Sequence, residues 1–290
     1  MQLEPKPIAP GLYLVATPIG NLDDMTLRAL NVLTNADRIA CEDTRQTAKL
    51  LSHFGISTPT VSYHDHNELS RSTQLLEQLK QGARIAVVSD AGTPGIADPG
   101  AVLAADAIAA GIAVFPIPGA NAAINALIAS GLSAEAFAFH GFLAAKEGAR
   151  RTQLEELRTQ LAASKSGATQ IFYETPHRIL GALEDVRLVF GPTHRIALAR
   201  ELTKLHEEFL RGTVAELEAT LSARENIRGE MVLMISGTVQ EEAAVTGSLA
   251  KEVAALIASG VTEKDALKQV AKARGLGKSE AYREWQRVKR

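Results

Sequence analysis

The residues best suited to chemistry lie in one loop, residues 89–100, with the sequence SDAGTPGIADPG. The loop follows an apolar run at 85–88, which has the length and β-branched content of a buried strand. Open α/β sheets bind ligands at the carboxyl ends of their parallel strands. Gly92 lets main chain approach a ligand closely, and Asp90 and Asp98 supply carboxylates that accept hydrogen bonds from a hydroxyl group or an ammonium. We therefore expect a ligand site here, the alternative being a turn in which Asp98 only caps the next helix.

Two further loops rich in glycine and proline follow apolar runs, TPIGN at 17–21 and PIPGANAA at 116–123. None of the three loops contains Lys or Arg. Because a phosphate group needs hydrogen-bond donors or positive charge, these loops favour a neutral or cationic small ligand over a polyphosphate. The sequence also lacks GxxxxGK[ST], GxGxxG, GxSxG, CxxC and HExxH motifs. Phosphoryl transfer on a P-loop, dinucleotide redox chemistry, serine hydrolysis and zinc catalysis are therefore disfavoured, and we expect no metal.

The elements that would position these loops form two α/β domains. Across residues 11–117, five short apolar runs alternate with helical patterns, which predicts βαβ units and a mainly parallel sheet. The second domain, 118–239, is less regular. Its apolar runs at 195–199 and 207–210 have no helix between them, which predicts a hairpin and a mixed sheet. A ligand cleft is expected between the two domains.

Composition and charge describe the rest of the chain. With 46% hydrophobic residues in 290, the chain can fill two cores and a small appendage. No apolar stretch reaches the roughly 18 residues of a membrane span, and no signal core opens the sequence, so a cytoplasmic protein without membrane contact is expected. The net charge is −2, yet residues 247–290 hold ten Lys or Arg against five acids. After a polar linker at 240–246, this segment predicts a basic bundle of helices at 249–258, 263–274 and 279–287, which either binds nucleic acid or packs on the body or a second subunit.

A family resemblance rests on six segments, which occur in this order: ATPIGNLDDMTLRAL, CEDTR, SDAGTPGIADPG, PIPGANAA, FYETPHR and ARELTKLHEE. The chain resembles the tetrapyrrole methylase superfamily, and within it the branch that acts as a small-subunit ribosomal RNA (cytidine-2′-O)-methyltransferase. The similarity covers about residues 11–237, and the basic C-terminal segment resembles the same branch. It implies two α/β domains of the tetrapyrrole methylase type, S-adenosylmethionine as methyl donor, a homodimer, and a cytidine of 16S ribosomal RNA, free or in the 30S subunit, as acceptor.

The resemblance also implies which residues contact the cofactor. The expected cofactor-binding residues are Pro18, Ser89, Asp90, Ala91, Gly92, Thr93, Asn121, Ala122, Tyr173, Glu174 and Gly212. They agree with the ligand site expected from the loops, since a cationic sulfonium compound needs no phosphate-binding loop.

Catalysis of 2′-O-methylation needs alignment, and a base or a cation helps a weakly acidic hydroxyl to attack. The catalytic candidates are Glu42, Asp43 and Arg45, with Asp43 as the hypothetical base, and the alternative is a capped helix start. Other dense polar groups are the histidine pair His64 and His66 and the pair Glu201 and Lys204. Candidates for RNA phosphate contacts are Lys146, Arg150, Arg151, Arg178 and Lys204, each of which has an ordinary salt-bridged or surface role as its alternative.

Two other functions fit the sequence less well. A methylase of the same fold acting on a corrinoid or porphyrin precursor would not need a basic C-terminal segment. A module that binds RNA or a nucleotide without catalysis would use the cleft only for sensing.

Overall fold

The computed structural model describes residues 6–64, 67–164, 166–238, 249–273, 281, 282 and 285. His66, the predicted linker at 240–246 and most of the predicted helix at 279–287 lie outside these residues. The chain divides into two units, Met1–Val239 and Gln240–Arg290. In the part that the structure describes, no helix is both long and apolar enough to cross a membrane.

The first sheet of the larger unit has five strands, all parallel. The elements are β1 (Gly11–Val15), α1 (Leu27–Asn35), β2 (Arg38–Cys41), α2 (Thr44–His53), β3 (Thr60–Ser62), α3 (Glu68–Lys80), β4 (Arg84–Val88), α4 (Ala101–Ala109) and β5 (Val114–Ile117). The strand order is β3-β2-β4-β1-β5, so the strand that precedes loop 89–100 lies in the middle. Helices cover both faces, as a parallel sheet requires, because its side chains are buried on either side. Leu12, Ile85 and Val87 belong to one apolar cluster, and Val15 and Ala86 to the other.

The second sheet is mixed, as the sequence predicts. Its elements are α5 (Ala122–Ser130), β6 (Phe137–Phe142), α6 (Glu147–Ser164), β7 (Gly167–Glu174), α7 (Ile179–Phe190), β8 (Arg195–Arg200), β9 (Glu208–Thr213), α8 (Val214–Ser222) and β10 (Met231–Gly237). The strand order is β6-β7-β10-β8-β9. Among the described strands of this sheet, β6 and β7 are the parallel pair, and β8 and β9 form the expected hairpin, in which Arg200 lies opposite Glu208. One face packs on α5 and the other on α6, α7 and α8.

The smaller unit contains two of the helices predicted there, α9 (Leu249–Ala258) and α10 (Glu263–Ala273). They enclose a small apolar cluster that includes Val253, Val270 and Trp285. The indole N–H of Trp285 donates to Glu263 Oε1 at 2.8 Å, which satisfies the one polar group of that ring.

Candidate active site

A cavity of about 690 Å³ lies where the carboxyl ends of the parallel strands meet one end of the mixed sheet. The first sheet contributes the loop after β4, from Asp90 to Thr93 and again at Ile96–Asp98, and Ile19 from the loop after β1. The mixed sheet contributes the end of β7, the turn after β8 and the start of β10. The volume is that of a site for a drug-sized molecule.

The loop after β4 is held in place by the loop after β1. The main-chain N–H of Thr17 donates to the carbonyl of Gly92 at 2.8 Å, and the N–H of Gly92 donates back to Thr17 at 3.0 Å. Gly92 has φ +84°, a conformation that glycine adopts without strain. The buried Ser89 hydroxyl donates to the carbonyl of Ala91 at 3.2 Å. Main chain is thus presented to the cavity in one fixed shape.

The far end of the same loop is fixed to α3. Glu68 Oε1 accepts from the N–H of Gly100 at 3.1 Å and from the hydroxyl of Tyr63 at 3.0 Å. Burial raises the pKa of Tyr63 to about 12, so its hydroxyl stays protonated at all physiological pH values and can donate this hydrogen bond. Gly100 is the N-cap residue of α4, and Asp98, two residues before it, lines the cavity.

A third loop reaches the cavity through the start of α5. Asn121 caps this helix, since its Oδ1 accepts from the N–H of Ile124 at 3.1 Å, and its Nδ2 donates to Thr93 Oγ1 at 3.2 Å. Thr93 in turn donates to the carbonyl of Ala120 at 3.2 Å. The loop after β4 and the loop before α5 are therefore joined by hydrogen bonds at the cavity wall.

On the mixed sheet, Glu174 at the end of β7 is the least exposed charged group of the wall. Its Oε1 accepts from the N–H of Thr175 at 2.8 Å and lies 3.3 Å from Nε of Arg178. Its Oε2 is buried without a hydrogen-bond partner in the described part of the chain. Such an oxygen calls for a donor, which a ligand in the cavity can supply.

The wall is strongly acidic. Among the described residues that line the cavity, Lys204 is basic, and five are acids: Asp90, Asp98, Glu174, Glu201 and Glu230. Nζ of Lys204 lies 2.8 Å from Glu201 and 3.0 Å from Glu230. Low-dielectric walls of one charge sign concentrate a ligand of the opposite sign, so the cavity attracts a cation.

Backbone strain gathers at this cavity. In the described chain, the non-glycine residues with positive φ are Ala97 at +60°, Glu201 at +52° and Thr203 at +66°. Ala97 and Glu201 line the cavity, and Thr203 lies between two lining residues. Each such residue costs about 1–3 kcal/mol and persists where the surrounding structure enforces it.

The family model of the Tetrapyrrole (Corrin/Porphyrin) Methylases matches residues 11–218, which include the first sheet and every strand of the second sheet except β10. The chain belongs to this family. Curated relatives named "Ribosomal RNA small subunit methyltransferase I" include two that align over more than nine-tenths of their length. The protein of Halalkalibacterium halodurans is 51% identical over 93% of both chains, and that of Escherichia coli O157:H7 is 44% identical over 94% of this chain and 93% of its own.

Solved structures with lower sequence identity share the fold. A uroporphyrin-III-C-methyltransferase from Thermus thermophilus aligns with a TM-score of 0.52 at 21% identity, over 79% of this chain and 94% of its own. A diphthine synthase aligns with a TM-score of 0.60 at 14% identity, over 79% of this chain and 91% of its own. Both confirm the predicted fold class.

Methylases of this family use S-adenosylmethionine as methyl donor, and the cavity fits that compound. Its sulfonium and ammonium carry positive charge, which the acidic wall stabilises. Its amino groups are donors of the kind that the unpaired Oε2 of Glu174 requires. Its adenosine needs hydrogen bonds and apolar contacts, which the fixed main chain of the β4 loop and the ring of Tyr173 offer.

The structure brings most of the predicted cofactor residues of this methylase to one place. Ser89 supports the β4 loop from behind, and Pro18 lies next to the lining residue Ile19. The predicted residues that line the cavity are Asp90, Ala91, Gly92, Thr93, Asn121, Ala122, Tyr173 and Glu174.

Gly212 does not reach the cavity. It lies opposite Ile196 in the β8–β9 hairpin, at the other end from the Arg200–Glu208 pair, about 13 Å away along the strand. A Cβ there would come within 2.6 Å of Glu216 Oε2. Because that carboxylate closes the capping box of α8 with Thr213, a local packing requirement accounts for the glycine.

The catalytic candidates lie beside the cavity and do not line it. Asp43 caps α2, with Oδ1 accepting from the N–H of Arg45 at 2.8 Å, and hydrogen bonds from Arg45 hold the pKa of Asp43 below its usual range. The capped helix start is therefore present. The main-chain N–H of Asp43 donates to Asp90 Oδ1 at 3.0 Å, which ties this turn to the cavity wall. The catalytic role of Glu42, Asp43 and Arg45 stays a prediction, and His64 contacts Asn67 instead of the cavity.

The predicted RNA contacts have unlike surroundings. Arg150 is buried, and its Nε lies 2.6 Å from Asp185, so its guanidinium does not face solvent, where an RNA phosphate would lie. Arg178 donates to the carbonyls of residues 143 and 144 and is held inside the domain. Lys146 is exposed, Arg151 is partly exposed, and Lys204 lines the cavity.

Sequence reasoning missed several lining residues, among them Phe142, Gly229 and Glu230. A single acid before the apolar strand β10 gives no signal of its own. Phe142 could have been suspected from Gly141, because a glycine inside a strand indicates a bulge that redirects the next side chain. The β6–β7 register does shift between Phe139 and Phe142, and Gly141 has φ +68°.

Proposed function

We propose that this protein is a cytoplasmic methyltransferase that moves the methyl group of S-adenosylmethionine to the ribose 2′-oxygen of a cytidine in small-subunit ribosomal RNA. The proposal rests on the near-complete alignment with relatives named for that RNA, together with an acidic cavity that suits the cationic donor. The acceptor is the 16S RNA, free or in the 30S subunit.

The donor supplies an activated methyl group, so alignment is the main task of the protein. The oxygen–methyl bond forms as the carbon–sulfur bond breaks, the bonding electrons stay on sulfur, and the hydroxyl proton leaves to a base. Asp90, the β4 loop, the start of α5 and Glu174 would hold the donor from three sides. Their cross-links, through Thr17, Thr93 and Asn121, keep the wall rigid before the acceptor arrives.

The acceptor base would meet an aromatic surface at the cavity. Phe142 lines the cavity, is 51% exposed and has its ring centroid 5.7 Å from that of Tyr173. Proteins recognise unstacked RNA bases by stacking them on such rings. A cytidine turned toward the cavity would bring its ribose next to the donor methyl.

Asp43 is the proposed base, with Glu42 and Arg45 beside it. Asp43 is ionised at neutral pH, so it can accept a proton, and its main-chain N–H donates to Asp90 of the cavity wall. Lys146 and Arg151 are the proposed phosphate contacts outside the cavity. The chain is also proposed to be a homodimer, as the family resemblance implies, which light scattering of the purified protein would test.

The decisive experiment supplies labelled S-adenosylmethionine and 30S subunits or 16S RNA from cells that lack the gene. Label should appear on one cytidine and survive as a 2′-O-methyl nucleoside after digestion. Label on a corrinoid or porphyrin precursor would favour the small-molecule methylase instead. Binding of the donor without any transfer would favour the non-catalytic module.

A further inference from the structure

A cluster of three charged side chains forms one side of the cavity. Nζ of Lys204 donates to Glu201 Oε1 at 2.8 Å and to Glu230 Oε2 at 3.0 Å. Glu201 Oε1 also accepts from the main-chain N–H of Glu230 at 3.0 Å. The lysine side chain is 29% exposed, so its position is set by these contacts and not by free motion in solvent.

The backbone around this cluster is held in an unfavourable shape. Glu201 and Thr203 have φ values of +52° and +66°, which cost energy for residues other than glycine. A Cβ on Gly229 would lie 2.3 Å from Cγ of Glu201, and a Cβ on Gly20 would lie 2.4 Å from Cγ of Lys204. An ordinary surface ion pair contributes too little to stability to account for such strain. Strain of this kind is concentrated at functional sites.

The protonation of Lys204 limits what it can do. Burial lowers its pKa, but hydrogen bonds from its ammonium to Glu201 and Glu230 outweigh that effect, and the net pKa is raised. Lys204 is therefore a cation and a hydrogen-bond donor at neutral pH, and it cannot accept the hydroxyl proton. An ammonium has three N–H groups, and the two carboxylates of the cluster use two of them.

The exposure of the cluster indicates which substrate it meets. The Glu230 side chain is 78% exposed, whereas that of Glu174 across the cavity is fully buried. The cluster thus borders solvent, and a polymeric acceptor such as RNA must approach the cavity from solvent. Other charged residues of the described wall are acids, which repel a ribose-phosphate.

We propose that Lys204 is the group that orients the acceptor nucleotide, and that Glu201 and Glu230 position Lys204 for this task. Its third N–H donates to the ribose or its adjoining phosphate, which fixes the attacking oxygen and stabilises the negative charge that develops on it as the proton leaves. This inference rests on the proposed function. It differs from a peripheral phosphate contact, which would change RNA affinity alone.

The test compares Lys204→Met, Lys204→Arg and Glu230→Gln with wild type in the full chain. Lys80→Met is the matched control, because Lys80 is paired with Glu77 on the exposed side of α3. Single-turnover methylation of 16S RNA or 30S subunits is measured at saturating RNA, and S-adenosylmethionine binding by calorimetry. Lys204→Met should lower the rate about 10²-fold, the typical effect of losing one donor to a developing oxyanion, with the donor Kd unchanged within about twofold.

Glu230→Gln should give a smaller loss of rate, because the ammonium is held less firmly. Lys204→Arg should recover part of the activity, and Lys80→Met should match wild type. A donor Kd that worsens as much as the rate would assign Lys204 to the cofactor and overturn the proposal. If Lys204→Met bound RNA more weakly but kept the wild-type rate at saturating RNA, Lys204 would be a peripheral phosphate contact and the proposal would be wrong.

Two controls separate other failures. Wild-type protein that leaves RNA unlabelled would refute the proposed function, whereas wild-type labelling with an equally active Lys204→Met would refute only this inference. Far-UV circular dichroism and urea unfolding report the folding of each variant independently of donor binding. Should Lys204→Met not fold, the largely exposed Glu230→Gln tests the same cluster, and an unchanged rate in that variant would count against it.

Discussion

The ion pair between α6 and α7 gives the most quantitative prediction. Asp185 is 1% exposed and accepts from Nε of Arg150 and Nε of Arg151, both at 2.6 Å. The Arg150 side chain is 8% exposed, so replacing Asp185 leaves a buried guanidinium without its carboxylate. Removing one partner of a buried pair costs about 3–5 kcal/mol. We expect Asp185→Leu to lose that much free energy of unfolding, or roughly 6–20 °C in Tm.

The double variant Arg150→Met/Asp185→Leu is the control. Apolar side chains of similar size replace a buried pair at little or no cost, so its free energy of unfolding should lie within about 1 kcal/mol of wild type. Urea unfolding followed by far-UV circular dichroism measures all three proteins. The reasoning fails if Asp185→Leu is within about 1 kcal/mol of wild type, or if the double variant is no more stable than Asp185→Leu. RNA affinity should survive in the double variant, since Arg150 does not face solvent.

Three further predictions concern acid stability, the donor site and the base. Hydrogen bonds from Arg224 and then Arg200 hold the pKa of Glu208 at about 2, below its ordinary 4.5, so its stabilisation is present above pH 4.5 and lost as the pH falls toward 2. Glu208→Gln should therefore flatten the acid side of a urea-unfolding profile against pH, and an unchanged slope would contradict this. Gly92 has φ +84°, and a Cβ there would lie 3.3 Å from a neighbouring side chain, so Gly92→Ala should weaken donor binding about tenfold in calorimetry. The control is Gly82→Ala, because Gly82 has a similar φ of +88° but faces open space. This control should lower the free energy of unfolding by about 1 kcal/mol and leave donor binding unchanged. Asp43→Asn keeps a helix cap and the main-chain hydrogen bond to Asp90, so the variant should fold and bind the donor normally. Its single-turnover methylation rate should fall about 10²-fold, and a near-normal rate would show that Asp43 is not the base.

Local patterns in the sequence predict most of the fold. Four of the five strands of the first sheet are short, mainly apolar runs that are followed within three residues by proline or an acid, and the helices carry apolar residues at helical spacing. The hairpin β8–β9 follows from the absence of a helix between two apolar runs. The strand order was not predicted, because it depends on contacts between residues far apart in the chain, such as Leu14 with Val87.

The sequence predicted only part of the candidate site, again because some of its residues come together through contacts that are distant in the chain. Loops that are rich in glycine and proline, such as the loop that contains Gly92, were identified from the sequence. Glu230 was not identified, because an acid before an apolar strand is common in sequences. Its place at the cavity depends on the turn after β8, which packs against it only in the folded protein. Arg150 was assigned to RNA because the sequence gives its charge and not its burial, which depends on Asp185, 35 positions away.

The strained backbone at the cavity is the first place where substitutions could make this protein more resistant to heat. The left-handed backbone at Ala97, Glu201 and Thr203 makes glycine or asparagine there a simple way to raise the melting temperature. Glu201, however, anchors the ammonium at the cavity, and Thr203 shapes the turn that carries it. Variants that tolerate more heat by relaxing this turn should therefore be slower enzymes, and the most thermostable natural members should keep the strain and gain stability elsewhere.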